Sequence, residues 1–147
     1  MSDHDISVLN GLTTTTLDSM KGYEDAAKDA ESTRFAAMFA DFARDRGEAV
    51  RALQADVTRL GGTPETGSSF MAAAHRTFLD LKQAFTANDD KAIVTEVERG
   101  EDHIKAKYET ALNDGDLSPE VAAVIREAFT TVRQGHDHMS ALKHNLA

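Results

Sequence analysis

The stretch STRFAAMFADFARDRGEAVRALQADVTRLGG, residues 32–62, decides how this chain folds. Its apolar side chains Phe35, Phe39, Phe42, Ala49, Leu53, Val57 and Leu60 recur at steps of three, four and seven, which is the period of one face of an α-helix. Ser32 offers an N-cap hydroxyl ahead of the run, and Gly61-Gly62 bring the residue type that ends helices. Thr63-Pro64-Glu65-Thr66-Gly67 then reads as loop. The spacing predicts one long amphipathic helix with a sharp stop.

Working outward, the same period appears on both sides. Upstream, from about Asp5 to Ala30, the residues Leu9, Leu12, Leu17, Met20, Glu24 and Ala27 share a stripe. Downstream, Phe70, Ala74, Phe78, Leu81 and Phe85 mark a shorter helix over about Ser68 to Ala87. Asn88 caps a fourth, whose acidic first turn Asp89-Asp90 suits the positive end of the helix dipole. Gly115 follows that helix, and Ser118-Pro119-Glu120 opens a fifth with a capping serine and a proline at the first helical position. Four segments are long and the middle one is short. Short connections join the first to the second and the fourth to the fifth, giving two antiparallel hairpins with a crossover helix between them.

Composition sets the outer limits. At 147 residues the chain is expected to form one all-α domain, 1–147, with a core large enough to sustain it. No stretch approaches the roughly 20 apolar residues of a membrane span, and the acidic start Met1-Ser2-Asp3-His4-Asp5 has no apolar run behind it, so a soluble cytoplasmic protein is expected. Cysteine is absent, which removes disulfides, thiolate ligands and thiol nucleophiles. A net charge of −9 repels phosphate backbones and acidic lipid, so neither nucleic acid nor membrane is an expected partner. No glycine-rich phosphate loop and no nucleophile elbow occur.

Several motifs point to one family. They are Gly22-Tyr23-Glu24, Leu53-Gln54, Leu60-Gly61-Gly62-Thr63-Pro64, His75-Arg76, Leu81-Lys82, Asp89-Asp90-Lys91-Ala92-Ile93, Glu98-Arg99-Gly100-Glu101-Asp102, Tyr108 and His136-Asp137. In these the chain resembles a bacterial ferritin-like family, domain of unknown function 2383, whose members are four-helix bundles with no established activity. The resemblance implies a ferritin-like four-helix bundle with an added crossover helix, and it implies no reaction.

Glu24 and Glu101 carry the chemical question. Glu24 stands four residues after Met20, and Glu101 four after Val97 and three before Ile104, so both are expected to face the core. A carboxylate there needs a cation, a proton or hydrogen-bond donors, because burying a bare charge costs several kcal/mol. Dimetal bundles supply one Glu from each of two helices and a Glu-x-x-His pair from each of the others. Glu24 and Glu101 resemble the single ligands, but neither Glu-x-x-His nor Asp-x-x-His occurs here; Arg133 and Gly135 stand three residues before His136 and His138. Asp45-x-x-Glu48 is an all-carboxylate substitute. A metal site for iron, manganese or zinc would therefore draw on Glu24, Glu101, His136, Asp45 and Glu48.

The competing expectation is a polar core network with no metal and no cofactor. Tyr23, Glu24, Arg46, His75, Arg76, Glu98, Glu101, Tyr108, Arg133 and His136 all fall on or beside inward stripes. Arginine forks neutralise carboxylates directly, and the two phenols can donate to them. A non-enzymatic bundle of stress or housekeeping type follows from that arrangement, with a metal-binding protein and a self-associating interaction module as alternatives.

Overall fold

The computed structural model describes residues 2–29, 35–67 and 90–146. Four helices account for most of them: α1 (Ser2–Asp29), α2 (Ala36–Arg59), α3 (Asp90–Leu112) and α4 (Pro119–Leu146). The protein is all-α, with no strand among the described residues. The helix expected over Ser68–Ala87, and the caps Ser32 and Asn88, lie outside the described residues.

Local chemistry explains the helix ends. At the end of α2, Gly61 takes φ +84°, the left-handed conformation that costs glycine nothing. Its N–H bonds the Thr58 carbonyl at 3.0 Å and the Gly62 N–H bonds the Val57 carbonyl at 3.0 Å, which satisfies carbonyls the helix would otherwise leave open. Gly62 also sits tightly: a Cβ there would lie 2.9 Å from Ile6 Cδ1. At the start of α4, Ser118 closes the helix, its Oγ accepting from Val121 N–H at 3.4 Å. The Ser118 N–H is held by buried Asp5 of α1 at 3.3 Å.

Neighbouring helices run antiparallel. Asn10 of α1 grips the main chain of Thr63 and Glu65 just past the end of α2, while Ser19 meets Arg46 midway. His4 and Thr16 of α1 meet Asp114 and Tyr108 at and before the end of α3. Phe42 of α2 lies against His138 of α4, and Arg46 against Gly135. Around the axis the order is therefore α1, α2, α4, α3, with α1–α2 and α3–α4 the most extensive contacts. Helices α2 and α3 lie across the diagonal and share no backbone contact. They run parallel to each other.

Two apolar clusters fill the interior. One, toward the α1 N-terminus, contains Leu9, Leu12, Leu53, Val57, Ile104, Tyr108, Val121, Ile125 and Val132. The other, toward the opposite end, contains Tyr23, Phe35, Phe39, Ile93, Val94, Val97 and Met139. Among the described residues no helix is long and apolar enough to cross a membrane.

Candidate functional site: a buried arginine–glutamate layer

Between the two apolar clusters lies a polar layer centred on Arg46, whose side chain is 1% exposed. Its Nη2 donates to Glu101 Oε1 at 2.5 Å, and Glu101 is equally buried. Its Nη1 donates to Ser19 Oγ at 2.9 Å. The guanidinium carbon stands 5.5 Å from the centre of the Tyr23 ring, a cation–π contact. The Tyr23 phenol is also hydrogen-bonded to Glu101. Each buried polar head thus meets a partner, as burial at this depth demands.

The fourth wall is made by an absence of side chain. A Cβ on Gly135 would fall 2.6 Å from Arg46 Nη2 and 2.7 Å from Glu101 Oε1. Contacts under 3.0 Å are not found for real Cβ atoms, so the pair fits only because α4 carries glycine there. Sequence reasoning passed over Gly135 and Ser19. A signal for Gly135 was present: glycine inside a helix costs about 1 kcal/mol relative to alanine and calls for a reason.

Electrostatics hold the layer in one protonation state. Burial acts to lower the Arg46 pKa, but the Glu101 carboxylate and then Tyr23 outweigh it, and the net shift is upward. Burial and the nearby Glu101 charge push the Tyr23 phenol well above its ordinary value. Tyr108 is raised too, chiefly by burial, against the opposing pull of its bond to Thr16 and of Arg46. The Thr16 hydroxyl lies 2.7 Å from the Leu12 carbonyl and shares a hydrogen bond with the Tyr108 phenol, also at 2.7 Å. The layer holds one positive and one negative side chain.

The other expected residues scatter. Glu24 is exposed, which corrects its assignment to the core. Tyr23 takes the inward position instead, in line with Leu9, Leu12, Thr16 and Ala26. The stripe was misplaced because Thr13 and Thr16 look polar, although each returns its hydroxyl to a carbonyl four residues back and is fully buried. Asp45 and Glu98 are half-buried, and Glu48 is exposed. Arg133, expected inside, is exposed and stacks at 6.0 Å over Phe129. His136 is 14% exposed and joins α4 to α3 through Asp102 at 2.6 Å rather than reaching Glu101. His75 and Arg76 lie outside the described residues.

The proposed ligands Glu24, Glu101, His136, Asp45 and Glu48 therefore do not converge. Glu101 is committed to Arg46, and the position facing it on α4 has no side chain to offer. Among the described residues, one group of His and acidic side chains comes close enough to hold an ion: His4, Asp114 and Asp116, within 4.8 Å of one another. It lies at the surface, where α1 begins and the α3–α4 connection turns. His4 Nε2 and Asp114 Oδ2 pair there at 2.7 Å. The Asp116 N–H, and secondarily His4, hold Asp114 below the usual carboxylate range.

The profile of a family described as Domain of unknown function (DUF2383) matches residues 4–114. The chain belongs to the DUF2383 family. The match runs from the first turn of α1 through α3, so Tyr23, Arg46 and Glu101 fall within the DUF2383 region while Gly135 and His136 of α4 lie beyond it. A comparison with curated proteins finds none that matches.

Proposed function

We propose that this DUF2383 protein is a ferritin-like bundle in which an internal ion pair has taken the place of a dimetal centre, and that it works as a non-enzymatic cytoplasmic protein of bacterial stress or housekeeping physiology. The observation that carries this reading is the Arg46–Glu101 bond at the level where all four helices face one another. Dimetal bundles need carboxylates from all four helices and a histidine from two of them. Here the four helices present Ser19 and Tyr23, Arg46, Glu101 and Gly135: one carboxylate, already neutralised, and no histidine. A cation placed beside Arg46 would meet like charge in a medium of low dielectric.

The helix order supports the ferritin-like assignment. Parallel α2 and α3 across the diagonal fit two hairpins linked by a crossover. Metal analysis of protein expressed with iron, manganese and zinc supplied tests the reading. Well under one metal per chain is expected. Near-stoichiometric metal that disappears on Glu101→Ala would refute it and establish a metal-binding protein.

A further inference from the structure

We infer that the Arg46–Glu101 pair is a register lock, fixing the axial position at which the α1–α2 hairpin docks onto the α3–α4 hairpin. The inference rests on the reading of this layer as a metal-free pair and assigns it a task. Within each hairpin the helices are tied by a short connection and by the most extensive contacts. Among the described residues, only the α2–α4 and α1–α3 faces and the weak α1–α4 diagonal touch between the hairpins, and α2 and α3 share no backbone contact. The Arg46–Glu101 bond crosses that open diagonal through the centre of the bundle.

Apolar packing alone selects one register poorly here. Buried positions recur every three or four residues on both diagonal helices, and apart from Arg46 and Glu101 themselves the members of these two series are apolar: Phe39, Ala43, Ala49, Leu53 and Val57 on α2, and Val94, Val97, Ile104, Tyr108 and Ala111 on α3. Sliding one hairpin along the other by a helical turn, about 5.4 Å, would again set apolar side chains against apolar side chains. The polar layer does not survive such a slide. Arg46 and Glu101 would part, each left as a bare buried charge.

Gly135 makes the choice two-sided. One turn away along α4 stand Val132 and Met139, both fully buried. In either shifted register one of them, rather than Gly135, would be driven toward the space that the Arg46 guanidinium occupies, while Glu101 would move away with α4. The glycine gap opposes the pair at one axial position alone. A single buried polar contact that specifies register in exchange for stability is the best-attested use of such pairs.

The test replaces both members with apolar residues of similar length, Arg46→Met with Glu101→Met, and measures register directly. The chain has no cysteine, so Ala40→Cys on α2 and Ala123→Cys on α4, both exposed, take nitroxide labels cleanly. These sites lie at opposite ends of neighbouring helices, so an axial slide of one turn changes their separation by about 5 Å. With the pair intact, double electron–electron resonance should give one narrow distance. The double variant should keep helical circular dichroism and cooperative thermal unfolding while its distance splits or broadens by about that amount. A single parental distance in the folded double variant would overturn the inference. Loss of its helical signal would overturn it equally, since the pair would then be needed for stability itself. Metal uptake at this layer would instead remove the underlying reading, an outcome the distance measurement does not mimic.

Discussion

Replacing Gly135 by alanine sets two effects of opposite sign against each other. Alanine in a helix interior is favoured over glycine by about 1 kcal/mol, so such a change ordinarily stabilises. At position 135 the new methyl would stand 2.6 Å from Arg46 Nη2 and 2.7 Å from Glu101 Oε1. Neither head can yield without lengthening a bond between side chains that are each 1% exposed. Overfilling a packed interior costs about 1–3 kcal/mol, and parting a buried ion pair about 3–5 kcal/mol. After the propensity gain, a net loss of about 2–4 kcal/mol is expected, enough to lower the melting temperature by about 6–12 °C in a chain of this size. Gly11→Ala and Gly100→Ala are internal controls. Both glycines are exposed and helical, with no described atom within 4 Å of an added Cβ, so each should gain up to about 1 kcal/mol. Urea unfolding followed by circular dichroism reads all three as shifts of the midpoint at unchanged slope. A Gly135→Ala protein as stable as the parent would show that the layer is not a filled steric lock.

Two further outcomes follow from the same layer. Glu101→Gln leaves the Arg46 guanidinium buried beside a neutral amide and should destabilise by about 3–5 kcal/mol in the same urea assay, with an effect below about 0.5 kcal/mol excluding a buried pair. Alkaline titration should show neither of the two tyrosines ionising in its ordinary range near pH 10. Both folded phenols are raised, so the unfolded chain releases protons that the folded chain retains; stability is intact below about pH 10 and is lost as pH climbs toward the folded values. Tyrosinate absorbance should therefore rise together with loss of helix, free of any tryptophan background, and a separate earlier rise would refute the buried placement.

Much of the scaffold was legible in the residues because it depends on local chemistry. The apolar period of residues 35–60, the glycine stop at Gly61-Gly62 and the Ser118-Pro119 start each act within a few residues, and the structure places helix ends within a few residues of those signals. Glu101 was also legible, since Val97, Ile104 and Tyr108 bracket it on one clear stripe. Glu24 was not. The face of α1 is set by which side its partners cover, and threonines that bond their own helix bury as readily as alkyl side chains.

Periodicity by itself determined that the chain forms amphipathic helices, where they break, and that a carboxylate must be buried on α3. It also showed that the histidine half of a dimetal pattern is missing. Only the tertiary structure decided that Arg46 answers Glu101, that His136 turns aside to Asp102, and that Gly135 leaves the gap between them. The reason is geometric: a helical period fixes the angle of a side chain about its own axis. Which heads meet depends on the axial offset between helices, and that offset emerges only when all four are packed together.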